Sequence, residues 1–245
     1  MRFKAFLLCC ALFAGQPPAR TSDAEDLRIQ QIRRRLDSLT EQHAKALIDE
    51  QPSPGDQADA ALVIGALHEL GTLGNANPVL AERYYRLAAQ LGSPEAECAL
   101  GNFLSVGVEG PNGRIARDFP KALEHYRRAA AGGSVKAMLR LGEIYSEGGE
   151  VAADSRQALD YFMEAARRGD EDAIQKLEPV MRQAREWEAA RPGRQANFPT
   201  SREALIDSSL VREEQRRTFY LNRKASRLYV ELNRRIGAST REDAP

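Results

Sequence analysis

The chain has 245 residues, 42% of them hydrophobic and 29% charged, and its formal net charge is zero. That composition is ordinary for a soluble protein, and its three cysteines are too few to exclude a fold that rests on packing alone. The zero hides a segregation: from residue 181 onward 14 Lys and Arg stand against 9 Asp and Glu, so the tail is basic and the middle of the chain must be acidic.

Arg2 and Lys4 precede the apolar run 5–14. That run is far shorter than the roughly 20 residues needed to cross a bilayer, so residues 1–20 read as a secretory signal rather than a membrane anchor. The cleavage site stays open between Leu12-Phe13-Ala14 and Ser22-Asp23-Ala24. Cys9 and Cys10 follow Leu8 and Cys9, not the small residue that a lipoprotein signal requires, so lipidation is not expected. Once the signal is removed Cys98 is the only cysteine, and no intramolecular disulfide can form. Glu95 and Glu97 would raise its thiol pKa, which favours a small packed residue over a reactive one.

Residues 21–55 read as a capping helix and a linker. Ile29, Ile32, Leu36, Leu39, His43 and Ala46 recur at steps of three and four, but over too few heptads for a coiled coil. Covering the open end of an array is the expected use. Gln51-Pro52-Ser53-Pro54-Gly55 then breaks the chain.

From Asp56 a pattern returns at steps of 36, 41 and 36 residues, with equivalent positions at Asp56, Gly92, Gly133 and Gly169. Periods of this length mark stacked helical hairpins. In the first helix of each unit Ala60, Ile64, Gly65 and His68 recur as Ala96, Leu100, Gly101 and Leu104, then as Ala137, Leu141, Gly142 and Tyr145. These spacings follow one helical face. A glycine inside a helix costs about 1 kcal/mol against alanine, so its return predicts close approach of the partner helix. The second helix is announced by Asn77, Asp118 and Asp154, each four residues before an alanine and able to accept from free first-turn amides. Each second helix then carries an aromatic and two alanines: Tyr85 with Ala88 and Ala89, Tyr126 with Ala129 and Ala130, Phe162 with Ala165 and Ala166. Gly92, Gly133 and Gly169 stand where these helices must end, and Ser93, Ser134 and Asp170 follow to cap the next. The longer loop 106–117 of the second unit reads as a tolerated surface insertion.

The fourth unit loses its glycine to Glu178 and breaks at Pro179, so the repeats divide as 56–91, 92–132, 133–168 and a degenerate 169–178. Residues 179–245 read as C-terminal helices of basic character. One covers 179–191 and packs Trp187 on the last repeat. After a linker marked by Pro192-Gly193 and Phe198-Pro199, another starts at Thr200 or Ser201 and continues to Ile236, with Leu221, Ala225, Leu228 and Leu232 on one side. Residues 238–245 read as frayed.

The pattern of Ala, Leu-Gly, Tyr or Leu, a loop, Asp, Ala, Tyr, Ala-Ala and Gly resembles the Sel1-like repeat, a relative of the tetratricopeptide repeat. The resemblance covers about half of the chain; residues 133–168 match best, and the first unit departs at Ile64 and His68. It implies an all-α, right-handed helical-hairpin solenoid, here with extra capping helices at both ends. It further implies a holder of partner proteins, often in bacterial envelope processes, and it implies no reaction.

The search for chemistry agrees. His43, His68 and His125 fall on three predicted helices, and His68 and His125 replace aromatics of sister repeats, Tyr145 in one case and Tyr84 and Tyr161 in the other. No metal spacing, phosphate loop or nucleophile motif appears, so no catalytic residue, metal ligand or cofactor is assigned, and a hydrolytic enzyme is only a distant alternative. The basic C-terminal helix could attract a polyanion, but Glu213, Glu214 and Glu231 interrupt it and aromatic platforms are few. Nucleic acid is not an expected partner of an exported protein; a wall- or polysaccharide-associated binding factor is the alternative function.

If the first helices line the inner face, as in related tetratricopeptide arrays, they bring Asp59, Glu69, Glu95, Asn102, Ser105, Glu143, Ser146, Glu147 and Asp172 toward a groove, against Lys136. That groove is acidic. It is expected to receive a basic segment, with charge setting encounter and register. The segment comes either from a protein partner in the envelope or from this chain's own C-terminal helix, through Arg212, Arg216, Arg217, Arg223, Lys224 and Arg227. Stacking of that helix on the end of the array is the open alternative. The expected function is a non-catalytic interaction scaffold or adaptor of the bacterial cell envelope, periplasmic, with no transmembrane segment in the mature chain.

Overall fold

The structure, a computed structural model, describes residues 23–73, 76–110, 113–191, 193 and 198–242. The signal expected at 1–20 lies outside the described residues, as do the side chains of Ile29, Ile32, Leu36 and Trp187. Residues 1–42 and 43–245 form two separate compact units. What is described of the first is helix, the start of α1 (Asp23–Asp49).

Residues 43–245 fold as helical hairpins. The first repeat pairs α2 (Pro54–Glu69) with α3 (Pro78–Gln90), the second α4 (Pro94–Val106) with α5 (Phe119–Ala131), and the third α6 (Val135–Glu147) with α7 (Ser155–Arg167). Between α4 and α5 lies a short antiparallel hairpin, β1 (Val108–Gly110) with β2 (Gly113–Ile115). After α8 (Glu171–Ala189) and a single turn α9 (Arg202–Leu205) comes α10 (Ser208–Glu242). Among the described residues the architecture is all-α apart from this one hairpin.

Each repeated residue has a physical task in this arrangement. Asn77 accepts from the Leu80 amide at 3.1 Å, Asp118 from Lys121 at 3.2 Å, and Asp154 from Arg156 and Gln157 at 3.0 Å each. Gly92, Gly133 and Gly169 end the second helices at φ of 92°, 96° and 86°, left-handed values that a side chain disfavours. Ser93 and Asp170 then cap the following helices. Ser134, although buried at the same position, makes no side-chain cap bond.

The glycines inside the first helices answer to sterics. A Cβ on Gly65 would lie 2.8 Å from the Tyr85 ring, one on Gly101 2.7 Å from Tyr126, and one on Gly142 2.5 Å from Phe162. The aromatic of each second helix therefore lies flat on the bare backbone of its own first helix. Neighbouring alanines, Ala88, Ala129 and Ala165 among them, are fully buried and keep the helices close.

Two buried clusters divide the core. One joins the second and third repeats to Leu177, Met181 and Leu205; the other joins the first repeat and α4 to Ala44, Leu47 and Ile48 of α1 and to Leu228 and Leu232 of α10. The end of α1 thus covers the first repeat within this unit.

Four local readings change. Pro54 and Gly55, read as part of the break, form the first turn of α2, with Ser53 as its cap. Pro179 does not break the chain: α8 runs through it, because Leu177 and Met181, 1% and 0% exposed on either side, hold the helix in the core against a cost of about 3 kcal/mol. The insertion in the second repeat, read as a tolerated surface loop, carries a short hairpin in which Val108 and Ile115 pair and pack on the cluster of the first repeat. The last helix reaches Glu242 rather than fraying at residue 238, and Ser239 is bonded to His43 at 2.9 Å. It is also separated from α9 by extended Ile206 and by Asp207, whose side chain caps it.

Candidate protein-binding surfaces

The long helix α10 crosses the repeats at their turns. Its entry is set by Asp207, whose amide donates to the Arg167 carbonyl at 2.8 Å, and by Val211, which lies against Gly169. The helix then passes Pro94, Gly132 and Gly133 and reaches the start of α2. At 1.5 Å per residue it is about 50 Å long, enough to follow the array rather than cover one end.

Its inner face combines ions and apolar anchors. Arg217 donates to both carboxylate oxygens of Asp59, at 2.9 and 2.5 Å, and to Glu95 at 3.4 Å. Burial works against the Arg217 charge, but the bonds to Asp59 and the charge of Glu95 outweigh it and hold its pKa above the usual arginine value. Two turns further along, Lys224 donates to the Asp56 carbonyl at 2.7 Å and to its carboxylate at 3.1 Å, and Tyr220 donates to the same carboxylate at 2.7 Å. Bonds from Ser53, then from Tyr220 and Lys224, hold the Asp56 carboxyl well below the usual range. Leu228 and Leu232 follow, buried in the cluster of the first repeat, and Arg235 closes on Glu50 at 2.7 and 2.9 Å.

The candidate residues of the sequence are therefore divided. Asp59, in the second turn of α2, and Glu95, in the first turn of α4, meet Arg217. Of the basic set only Arg217 and Lys224 bond to the repeats; they lie within about 40° of buried Leu228 around the helix, whereas Arg212, Arg216, Arg223 and Arg227 are exposed and lie about 100° or more from it. Arg235 has an inward role outside that candidate set, and its alignment with Leu228 and Leu232 is the signal that marks it.

The other candidates have no bond to α10 among the described residues, and all but Asp172 stand at the last turns of the first helices. Glu69 accepts from the Tyr85 hydroxyl at 2.5 Å, and the Tyr126 hydroxyl donates to Asn102 at 2.8 Å and reaches Ser105 at 3.3 Å. Phe162 replaces tyrosine in the third repeat, and Ser146 and Glu147 are left exposed there. Glu143 pairs with Arg140 at 3.0 Å and Lys176 at 3.5 Å. Asp172 is exposed in the first turn of α8. Leu70 and Val106 occupy equivalent positions one repeat apart and are 74% and 72% exposed.

The histidines have structural surroundings: His68 stacks on Tyr84 with ring centroids 5.4 Å apart, and His125 meets Glu97 at 2.5 Å. Burial raises the pKa of the Cys98 thiol. Among the described residues no group of three or more His, Cys, Asp or Glu could hold a metal ion, and no helix is long and apolar enough to cross a membrane.

Comparison with known proteins follows the same periodicity. The Sel1 repeat family matches residues 58–93, 94–134 and 135–170, each frame two residues from the glycine-based division. No curated protein matches the chain. Among solved structures, a Sel1 repeat protein from Oxalobacter formigenes is 24% identical, with a TM-score of 0.46, over 69% of this chain and 58% of its own. A protective antigen of uropathogenic Escherichia coli displaying an SLR fold is 20% identical, with a TM-score of 0.47, over 60% of this chain and 36% of its own. Helicobacter pylori cysteine rich protein B is 26% identical, with a TM-score of 0.40, over 49% of this chain and 89% of its own. The chain thus spans less than two thirds of the first two. Three family matches in sequence fall on three helical hairpins built from the repeated residues: the chain carries three Sel1 repeats, and proteins built on such repeats generally mediate protein–protein interaction.

Proposed function

We propose that the protein is a non-catalytic scaffold of the bacterial envelope, exported to the periplasm, that holds a partner protein on the last turns of its first helices. The observation that supports this is the division of the acidic row. Asp59 and Glu95 are occupied by Arg217, whereas Glu147 is exposed and makes no ion pair among the described residues. Glu69, Asn102, Ser105, Glu143 and Ser146 belong to the same last turns. Helix C-termini add their free carbonyls to these carboxylates, so the surface attracts a basic segment, and exposed Leu70 and Val106 offer it apolar contact. The short apolar run after Arg2 and Lys4 supports export.

The test is capture of a partner from envelope extract by the mature protein, with and without Glu143→Lys and Glu147→Lys. A protein retained by the parent and lost from the double variant agrees with the proposal. Capture that is indifferent to the charge reversal, or binding to purified cell wall instead, contradicts it. Fractionation of cells should place the protein in the periplasm; recovery in the cytoplasmic fraction refutes that part.

A further inference from the structure

The side of α10 that does not meet the repeats carries a surface of opposite charge. At about 100° per residue, Phe219 and Val230 point the same way to within about 20°. They are 69% and 66% exposed. Arg212 and Arg223 share that bearing, and Arg216, Arg227 and Arg234 flank it within about 80°; all of these arginines are exposed. No carboxylate falls inside the arc. Glu214 and Glu231 lie outside it, half-buried, and Glu213 stands at its rim beside Gly132 and Gly133. Of the acids that interrupt the basic stripe in sequence, Glu231 reaches Arg234 from outside the arc, at 2.6 and 2.8 Å, and the other arginines of the arc have no carboxylate among them.

The arginines of this face differ from the inward cations in what they touch. Arg217, Lys224 and Arg235 are held by carboxylates of the repeats and of α1. Arg212, Arg223 and Arg227 make no ion pair among the described residues, and a guanidinium stays charged at any working pH. Arg223 and Arg227, one turn apart, also reach the edge of a cavity of about 640 Å³ between α10 and the elements it packs on, whose walls include the carboxylates of Glu50, Asp56 and Glu231; away from it, the exposed Phe219 and Val230 stand beside Arg212 and Arg223. The surface thus pairs uncompensated positive charge with apolar contact area.

That pairing selects the occupant. A phosphate polymer would satisfy the arginines and leave Val230 uncovered. A lipid surface would require a continuous apolar face, and the apolar face of α10 is already committed to the core through Leu228 and Leu232. A protein segment with carboxylates around two apolar side chains about 16 Å apart meets both demands. We propose that the outward face of α10 docks an acidic, amphipathic segment of a partner protein, with carboxylates on Arg212, Arg223 and Arg227 and apolar side chains on Phe219 and Val230. This site uses a different face from the last-turn surface and stands independently of it.

Fluorescence anisotropy on the full chain tests the idea with a labelled helical peptide that carries two leucines on one face among glutamates. Comparison probes are the same peptide with serine for leucine, an oligo-dT and vesicles of phosphatidylglycerol. The leucine peptide should bind roughly tenfold tighter than the serine peptide, and should weaken at least roughly tenfold with Arg223→Glu/Arg227→Glu and, separately, with Phe219→Ser/Val230→Ser. All of these substitutions are at exposed positions, and melting curves establish that each variant is folded. No binding of the leucine peptide, binding indifferent to either double variant, or tighter binding of oligo-dT or vesicles overturns the proposal.

Discussion

Replacement of Leu232 by alanine tests what holds α10 to the repeats. Leu232 is 0% exposed and belongs to the cluster of Leu47 and Ile48 of α1 and Ile64 of α2. Truncation of a fully buried leucine costs about 2–5 kcal/mol, the transfer term plus the cavity left behind. Here the helix can settle slightly toward the array, so about 3 kcal/mol is expected. The ion pairs of the same face are weaker anchors: Arg235 and Glu50 are 23% and 55% exposed, and solvent screens a pair so placed. For a unit of this size about 3 kcal/mol lowers the melting temperature by about 6–12 °C, measured by circular dichroism. Val230→Ala, two residues away but on the outward face, should stay within about 0.5 kcal/mol of the parent. A Leu232→Ala shift no larger than that of Val230→Ala would refute the docked position of α10.

Gly142→Ala places a methyl 2.5 Å from the Phe162 ring and should cost about 1–3 kcal/mol by overpacking; Phe162→Leu in the same chain should recover part of that loss, and a loss unaltered by the second change would contradict the ring-on-glycine contact. The acid limb of stability is also set by α10. Bonds from Arg234 and Arg235 hold Glu231 at about 2, and Arg235 lowers Glu50. A carboxylate depressed on folding contributes above its unfolded value of about 4.3 and loses that contribution as pH falls through the folded one. Glu231→Gln should therefore flatten the stability profile between about pH 4 and 2, and leave its slope at alkaline pH unchanged. An identical acid limb in the variant would count against these pairs.

The fold was legible where a residue type had a single cause. Glycine at positions 65, 101 and 142 has no reason to recur inside helices except close approach, and the rings of Tyr85, Tyr126 and Phe162 supply it. Asn77, Asp118 and Asp154 announced their helices because a short acceptor before an apolar run has few other uses. Pro179 misled because local propensity favours a break, and only the burial of Leu177 and Met181 shows that tertiary packing prevails. The strands around residues 111 and 112 are three residues each, too short for a period-two signal to rise above a glycine-rich loop.

The site was half legible. Charge segregation pointed to an acidic surface and a basic helix, but composition carries no azimuth. Which arginines turn inward follows from the position of Leu228 and Leu232 on the helix, and reading that register would have separated Arg217 and Lys224 from Arg212, Arg216, Arg223 and Arg227. The tyrosine hydroxyls on Glu69 and Asn102 depend on which rotamers lie across a helix pair, which no spacing in the sequence expresses.

The central claim is that α10 is a docked part of the repeat unit, occupying the carboxylates of the first two turns and leaving the last turns to a partner. Amide hydrogen exchange on the full chain tests it most directly. If α10 is docked, the amides of residues 217–232 exchange as slowly as those of α2 and α4, through openings shared with the repeats. Exchange of 217–232 at the rate of an isolated, solvated helix, while α2 and α4 remain protected, would contradict it.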